Sequence, residues 1–239
     1  VPFEIHDVDY SRSVRVLGTA HFTQRSLQEA IQAVRDTGTR DLALELDPRR
    51  FSALNGACST CPRRGHCTAR CEFIGASEAL GNVDANIWLI DMSQEEMGRR
   101  VGRLAGPWAA RRAFRALGEA QDERLPWLWE RGLKGEVDRR SRESLDALRR
   151  AAPPVWRVLI EERNTLMAAR LAWVASKRMD EGGEVNVLAL VGAAHVEGIL
   201  GLLRSPVSIR DGLRALSLTY SLPFLVRRVG VGGDLHALN

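Results

Sequence analysis

Apolar and polar positions alternate along this chain in two rhythms. Residues 14–20 (VRVLGTA), 41–46 (DLALEL), 86–91 (NIWLID) and 186–192 (NVLALVG) are short aliphatic runs with polar or glycine boundaries, and they predict four strands. Between the first two, SLQEAIQAVRDTG at 26–38 repeats apolar residues at 27, 30, 31 and 34, the spacing of one helix face. Ser26 is the expected N-cap there, Glu29 completes a capping box and Gly38 is the stop. Strand, helix and strand in that order predict a βαβ unit with parallel strands over 14–46. Ser93, with Glu96 three places on, opens a further helix, and the chain then stays helical and Arg-rich over 93–183. Breaks are expected at Gly106-Pro107, Pro126, Gly132 to Gly135 and Pro153-Pro154, and residues 155–183 predict one long amphipathic helix ending at Gly182-Gly183. A short helix is expected from about 196, and the tail, 205–239, reads as one amphipathic helix and a last strand.

This pattern predicts an α/β fold with a mixed, largely parallel central sheet flanked by helices. A long helical insertion, 93–183, separates the third and fourth strands, and a second, Cys-rich insertion spans 57–72. Residues 1–239 are expected to form a single α/β domain.

Two of the strands end alike. The first runs out through Gly18-Thr19-Ala20 into His21, and the fourth through Gly192-Ala193-Ala194 into His195. Glycine at such a point allows close backbone approach, and the small residues after it leave room beside the imidazole. The second strand ends in Glu45 and Asp47 and the third in Asp91. In open α/β sheets ligands bind beyond the carboxyl ends of parallel strands, so neighbouring strands would gather His21, Glu45, Asp91 and His195 at one rim. Each of these groups alone has an ordinary structural explanation, an ion pair with an arginine or a solvated histidine, and it is their joint position that points to chemistry.

Composition narrows the partners. The 239 residues are 45% hydrophobic and 27% charged, ordinary for a globular protein. The net charge is +4, but all basic residues except Lys134 and Lys177 are arginines interspersed with acids. That pattern describes solvated helix faces rather than a stripe for nucleic acid, so no nucleic-acid partner is expected. The N-terminal VPFEIHDVDYSRS has no signal-peptide pattern, and no uncharged apolar run reaches the length of a membrane span. A soluble, cytoplasmic protein is the expectation, with membrane association resting on a C-terminal anchor beyond these residues. Homo-oligomer formation stays open.

All four cysteines fall in CSTCPRRGHCTARC: Cys58, Cys61, Cys67 and Cys71. Their spacing suits a tetrahedral zinc site or a [4Fe–4S] cluster, and two local disulfides are the third reading. Any of the three would order a loop too polar to fold by itself.

The joint pattern of GTAH, a strand ending in Glu-Leu-Asp, the stretch EERN at 161–164 and GAAHVEGI resembles the TraB/PrgY family. That family is part of a wider group with the Tiki proteases, ChaN-like proteins and erythromycin esterases, and the resemblance covers most of residues 14–203. It implies an α/β/α fold with the paired Gly-x-x-His motifs and the glutamate at one site, here His21, Glu45 and His195. Arg163 is implied as an anion-binding helper, with Asp47, Arg50 and Asp91 as supporting residues. Many members also carry membrane helices after the second histidine motif.

The activity implied is metal-dependent peptide hydrolysis, with a divalent metal on His21, Glu45 and His195 and a peptide as substrate or ligand. The metal would activate water and polarise a carbonyl. A metal-free alternative uses His21 or His195 as general base oriented by Glu45. A third reading is a non-catalytic protein that binds or sequesters a peptide or small ligand at the same rim.

Overall fold

The computed structural model describes residues 4–21, 23–60, 72–81, 85–106, 108, 109, 111–113, 115, 124–228 and 235–237, with backbone alone at 58–60, 227, 228 and 235–237. Among these residues six strands form one sheet: β1 (Val14–Thr19), β2 (Asp41–Leu44), β3 (Asn86–Leu89), β4 (Val187–Gly192), β5 (Phe224–Arg228) and β6 (Leu235–Ala237). Their spatial order is β1-β4-β2-β3-β5-β6. The first four are mutually parallel, and β5 and β6 add antiparallel edges beside β3. The mixed, largely parallel sheet matches the expectation. The parallel β1 and β2 of the predicted βαβ unit lie in it with β4, from the far end of the chain, between them. Burial decides this, because β4 is apolar at every position and buried throughout, which suits the centre of a sheet covered on both faces.

The helices cover both faces. α1 (Gln24–Thr37), α2 (Pro48–Thr60) and α3 (Glu72–Ala79) lie on the side of Leu42, Leu44 and Leu46, with Ala30, Val34, Phe73 and Ile74 in that core. On the other face Ala43, Ala189 and Val191 meet Met167, Ala168, Leu171 and Ala172 of α8 (Arg163–Asp180). The alternation read in DLALEL therefore splits the two cores. Asp41 is buried among them and is satisfied by Arg178, Asn86 and the indole N–H of Trp88 at 2.7 Å.

Between β3 and β4 lie α4 (Gln94–Leu104), α5 (Leu125–Glu130), α6 (Lys134–Ala151) and α7 (Pro153–Trp156), the last running through a π-turn at Arg157–Glu162 into α8. After β4 come α9 (Val196–Leu203) and α10 (Pro206–Ala215). Ser93 caps α4 as expected, accepting from the Glu96 N–H at 3.1 Å. Three details differ from the sequence reading. The cap of α1 is Thr23, one turn early, and Ser26 instead supplies the N–H it accepts and turns its own Oγ to the Ala20 N–H. Pro126 sits within the first turn of α5, where a missing N–H costs nothing. The helix over 155–183 is interrupted by the π-turn, where Glu162 is fully buried and held by Arg100 and Arg157.

No helix among the described residues is long and apolar enough to cross a membrane. The four-cysteine segment falls outside the description. Cys61, Cys67 and Cys71 are not among the described residues, and Cys58 is described only in backbone, within α2.

Candidate functional site

The strand order sets the order of side chains along the carboxyl rim: His21 after β1, His195 after β4, Glu45 after β2 and Asp91 after β3. In the β1–β4 register Thr19 pairs with Gly192, so the two Gly-x-x-His motifs leave the sheet side by side. Both glycines are needed for close approach. A Cβ on Gly18 would stand 2.9 Å from Val196 Cγ2, and one on Gly192 would stand 3.0 Å from His21 Nε2 and 3.4 Å from Glu45 Oε2. The Gly192 N–H donates to that same Glu45 oxygen. His21 Nε2 and a Glu45 oxygen thus lie over one glycine.

Each histidine is held through its other ring nitrogen. His21 Nδ1 lies 2.7 Å from Oε1 of Glu72, a carboxylate only 1% exposed, and Phe73 packs its ring 5.5 Å from the imidazole. His195 Nδ1 lies 2.7 Å from Asn164 Oδ1, and its Nε2 lies 3.0 Å from Nη1 of Arg163. A guanidinium only donates, so Nε2 of His195 carries the lone pair and Nδ1 the proton. Burial pushes the His195 imidazole below its usual range, against the opposing pull of Glu45, so the ring is neutral.

Arg163 ties the rim together. Its Nε donates to Asp91 Oδ1 at 3.0 Å, Nη1 to His195 and to the Leu159 carbonyl at 3.3 Å, and Nη2 to Glu45 Oε1 and to Asp91 Oδ2 at 2.8 Å. All five of its N–H donors are used. An anion meeting Arg163, as the sequence leads one to expect, would have to take the place of one of these acceptors. Arg50 bridges Asp47, at 2.6 Å, and Asp91. Burial by itself would raise the Asp91 carboxyl, but Arg163 and Arg50 outweigh it and hold it down to about 2.

These groups form one wall of a pocket of about 970 Å³, which His21, Glu45, Arg50, Arg163 and His195 all line. Apolar side chains line it as well. Leu46 follows β2 and Leu54 belongs to α2, while Leu125, Pro126, Trp129 and Val137 come from the helical insertion. Two side chains that hold the histidines were absent from the sequence reading. Asn164 stood unread inside EERN, whereas nothing in local spacing connects Glu72 with a histidine 51 residues earlier.

Acid should destabilise the protein in two stages. His195 is buried neutral, so an unfolded chain binds its proton more readily, and the associated stability is complete above about 6.5 and lost as pH falls below it. Asp91 drops from an ordinary 3.8 to about 2, and that contribution is present above about 4 and lost as pH falls toward 2. The Asp91 stage is worth about 2 kcal/mol. Urea unfolding measured from pH 7.5 to 3 reads both, and a flat profile between pH 7 and 5 would contradict a neutral His195.

An α/β/α sheet protein with twin Gly-x-x-His strand ends around a buried arginine–carboxylate cluster is the class defined by this fold and site. The sequence model of the TraB/PrgY/gumN family matches residues 110–205, which hold Arg163, Asn164 and His195. No curated protein and no solved structure matches the chain.

Proposed function

We propose that this protein is a hydrolase that cleaves peptide bonds at the rim pocket, with His21 as general base and without a metal at the rim. The observation that carries this reading is the His21–Glu72 pair. A buried carboxylate accepts from Nδ1 while Nε2 lies beside Glu45 at the pocket, the arrangement in which an imidazole takes a proton from water and its partner stabilises the imidazolium. Water adds to the substrate carbonyl as its proton passes to His21 Nε2, and the same proton then goes to the leaving amine. The peptide class of substrate comes from the family resemblance, and the apolar side chains lining the pocket suit aliphatic side chains flanking the scissile bond.

Both imidazoles are oriented through Nδ1, as metal-bound histidines are. Yet the Arg163 guanidinium already takes Glu45 Oε1 and the His195 Nε2 lone pair, so two of the three expected ligands face a cation. Among the described residues no group of three or more His, Cys, Asp or Glu is placed to hold a metal ion. The set as held does not fit a resident divalent ion. Cys58, Cys61, Cys67 and Cys71 are proposed as a separate zinc or [4Fe–4S] segment.

The test is turnover of a mixed peptide library by protein with and without chelator, alongside metal analysis and thermal unfolding to register any loss from the cysteine segment. Cleavage that survives chelation in folded protein supports the proposal. Cleavage lost on chelation and restored by a divalent ion overturns the metal-free route. Peptide binding with no turnover overturns hydrolysis in favour of sequestration.

A further inference from the structure

The two Gly-x-x-His motifs are alike in sequence but differ in what holds them. We infer that Glu72 is the positioning residue of His21: it keeps the ring proton on Nδ1, so that every proton exchange of His21 takes place at Nε2, over Gly192 beside Glu45.

The placement of Glu72 follows from packing. α1 begins three residues after His21, and α3 begins at Glu72. The two helices meet closely at Gly75, where a Cβ would stand 2.4 Å from Leu27 Cδ1. Ile74 and Ala76 are buried in the same core as Ala30 and Val34. Docking α3 on α1 through this small residue brings the start of α3 against the segment just before α1, which sets Glu72 Oε1 2.7 Å from His21 Nδ1. The adjacent Phe73 closes on the same ring at 5.5 Å. Thr19 Oγ1, 3.5 Å from both the ring nitrogen and the carboxylate, borders the pair.

A carboxylate has no proton to give, so the shared proton belongs to Nδ1 whether His21 is neutral or charged. An unrestrained neutral imidazole in water favours the other tautomer, with the proton on Nε2, and that form has no lone pair to offer at the pocket. His195 is handled differently. Its Nδ1 partner is the neutral amide of Asn164, admitted by Gly198, where a Cβ would clash with Asn164 Nδ2 at 2.2 Å. At Nδ1 His21 meets a carboxylate and His195 a neutral amide, which separates a proton-exchanging histidine from a fixed one.

The assignment of the tautomer stands by itself, and only its effect on rate rests on the proposed hydrolysis. Selective ¹⁵N-histidine labelling with long-range ¹H–¹⁵N correlation reads the tautomer of each ring at alkaline pH, where neutral forms dominate. Wild-type His21 is expected as the Nδ1–H tautomer. In Glu72→Leu, with His195 unchanged as an internal control, His21 is expected to shift mainly to Nε2–H. With a peptide substrate, kcat should fall about a hundredfold with KM little altered. A folded Glu72→Leu protein whose His21 remains Nδ1–H overturns the inference. If that variant does not fold, the wild-type spectrum decides, because a native Nε2–H His21 also overturns it. A shifted tautomer with an unchanged rate upholds Glu72 and rejects His21 as the base. A shifted tautomer in a protein that never cleaves peptides upholds Glu72 and rejects the hydrolase.

Discussion

Arg163→Met lowers the unfolding free energy by about 3–5 kcal/mol, measured by urea denaturation near neutral pH. The methionine roughly fills the space of the arginine stem, so little of the loss is packing. It comes from Glu45 and Asp91, 6% and 3% exposed, each left without its main cation. Removing one partner from a buried ion pair typically costs that much, because the remaining charge stays away from water. Arg50 still reaches Asp91 and softens the loss at that residue, but nothing among the described contacts replaces Arg163 at Glu45 Oε1 except His195, at 3.5 Å. Arg163→Lys should recover little, since an ammonium cannot reproduce a planar fork with five donors. The same variants should weaken the acid stage assigned to Asp91, because Arg163 is the first charge holding that carboxyl down. A loss below about 1 kcal/mol in Arg163→Met would mean that the rim network does not hold the strand ends together.

His21→Ala is expected to leave stability within about 1 kcal/mol of the wild type while reducing peptide turnover by about 10² to 10⁴. His21 can be removed cheaply because its side chain is 30% exposed at the pocket and its ring packs mainly on Phe73. The unpaired Glu72 carboxylate offsets part of this, and water entering from the pocket in place of the imidazole satisfies it. His195→Ala should behave differently. That ring is 4% exposed, and its loss strips Arg163 and Asn164 of partners, so stability and activity fall together. The comparison separates the two histidines in one experiment: steady-state kinetics and urea midpoints on both variants. Equal stability losses with unchanged turnover would reduce the twin motifs to a packing device.

The local pattern by itself determined much of this protein. The four parallel strands follow from short aliphatic runs, since such runs satisfy their backbone only in a covered sheet. Leu42, Leu44 and Leu46 face one core and Ala43 the other because side chains alternate along a strand. Ser93 and Gly38 act where their capping chemistry predicts, as both depend on neighbours three or four residues away. His21, Glu45 and His195 were legible as strand-end groups for the same reason.

Tertiary packing decided the rest. Only burial on both faces places β4 between β1 and β2, which puts His195 next to His21 and Glu45 next to both. Arg163 reads in sequence as a helper for anions, but its five donors meet acceptors from the segments after β2, β3 and β4 and from the π-turn before its own helix. No local rule anticipates that saturation, because it depends on where four separate segments end. Glu72 was the least legible. Its meeting with His21 depends on Gly75 letting α3 settle on α1, a contact between residues almost fifty positions apart in the chain, whose energy comes from apolar surface remote from the carboxylate it delivers.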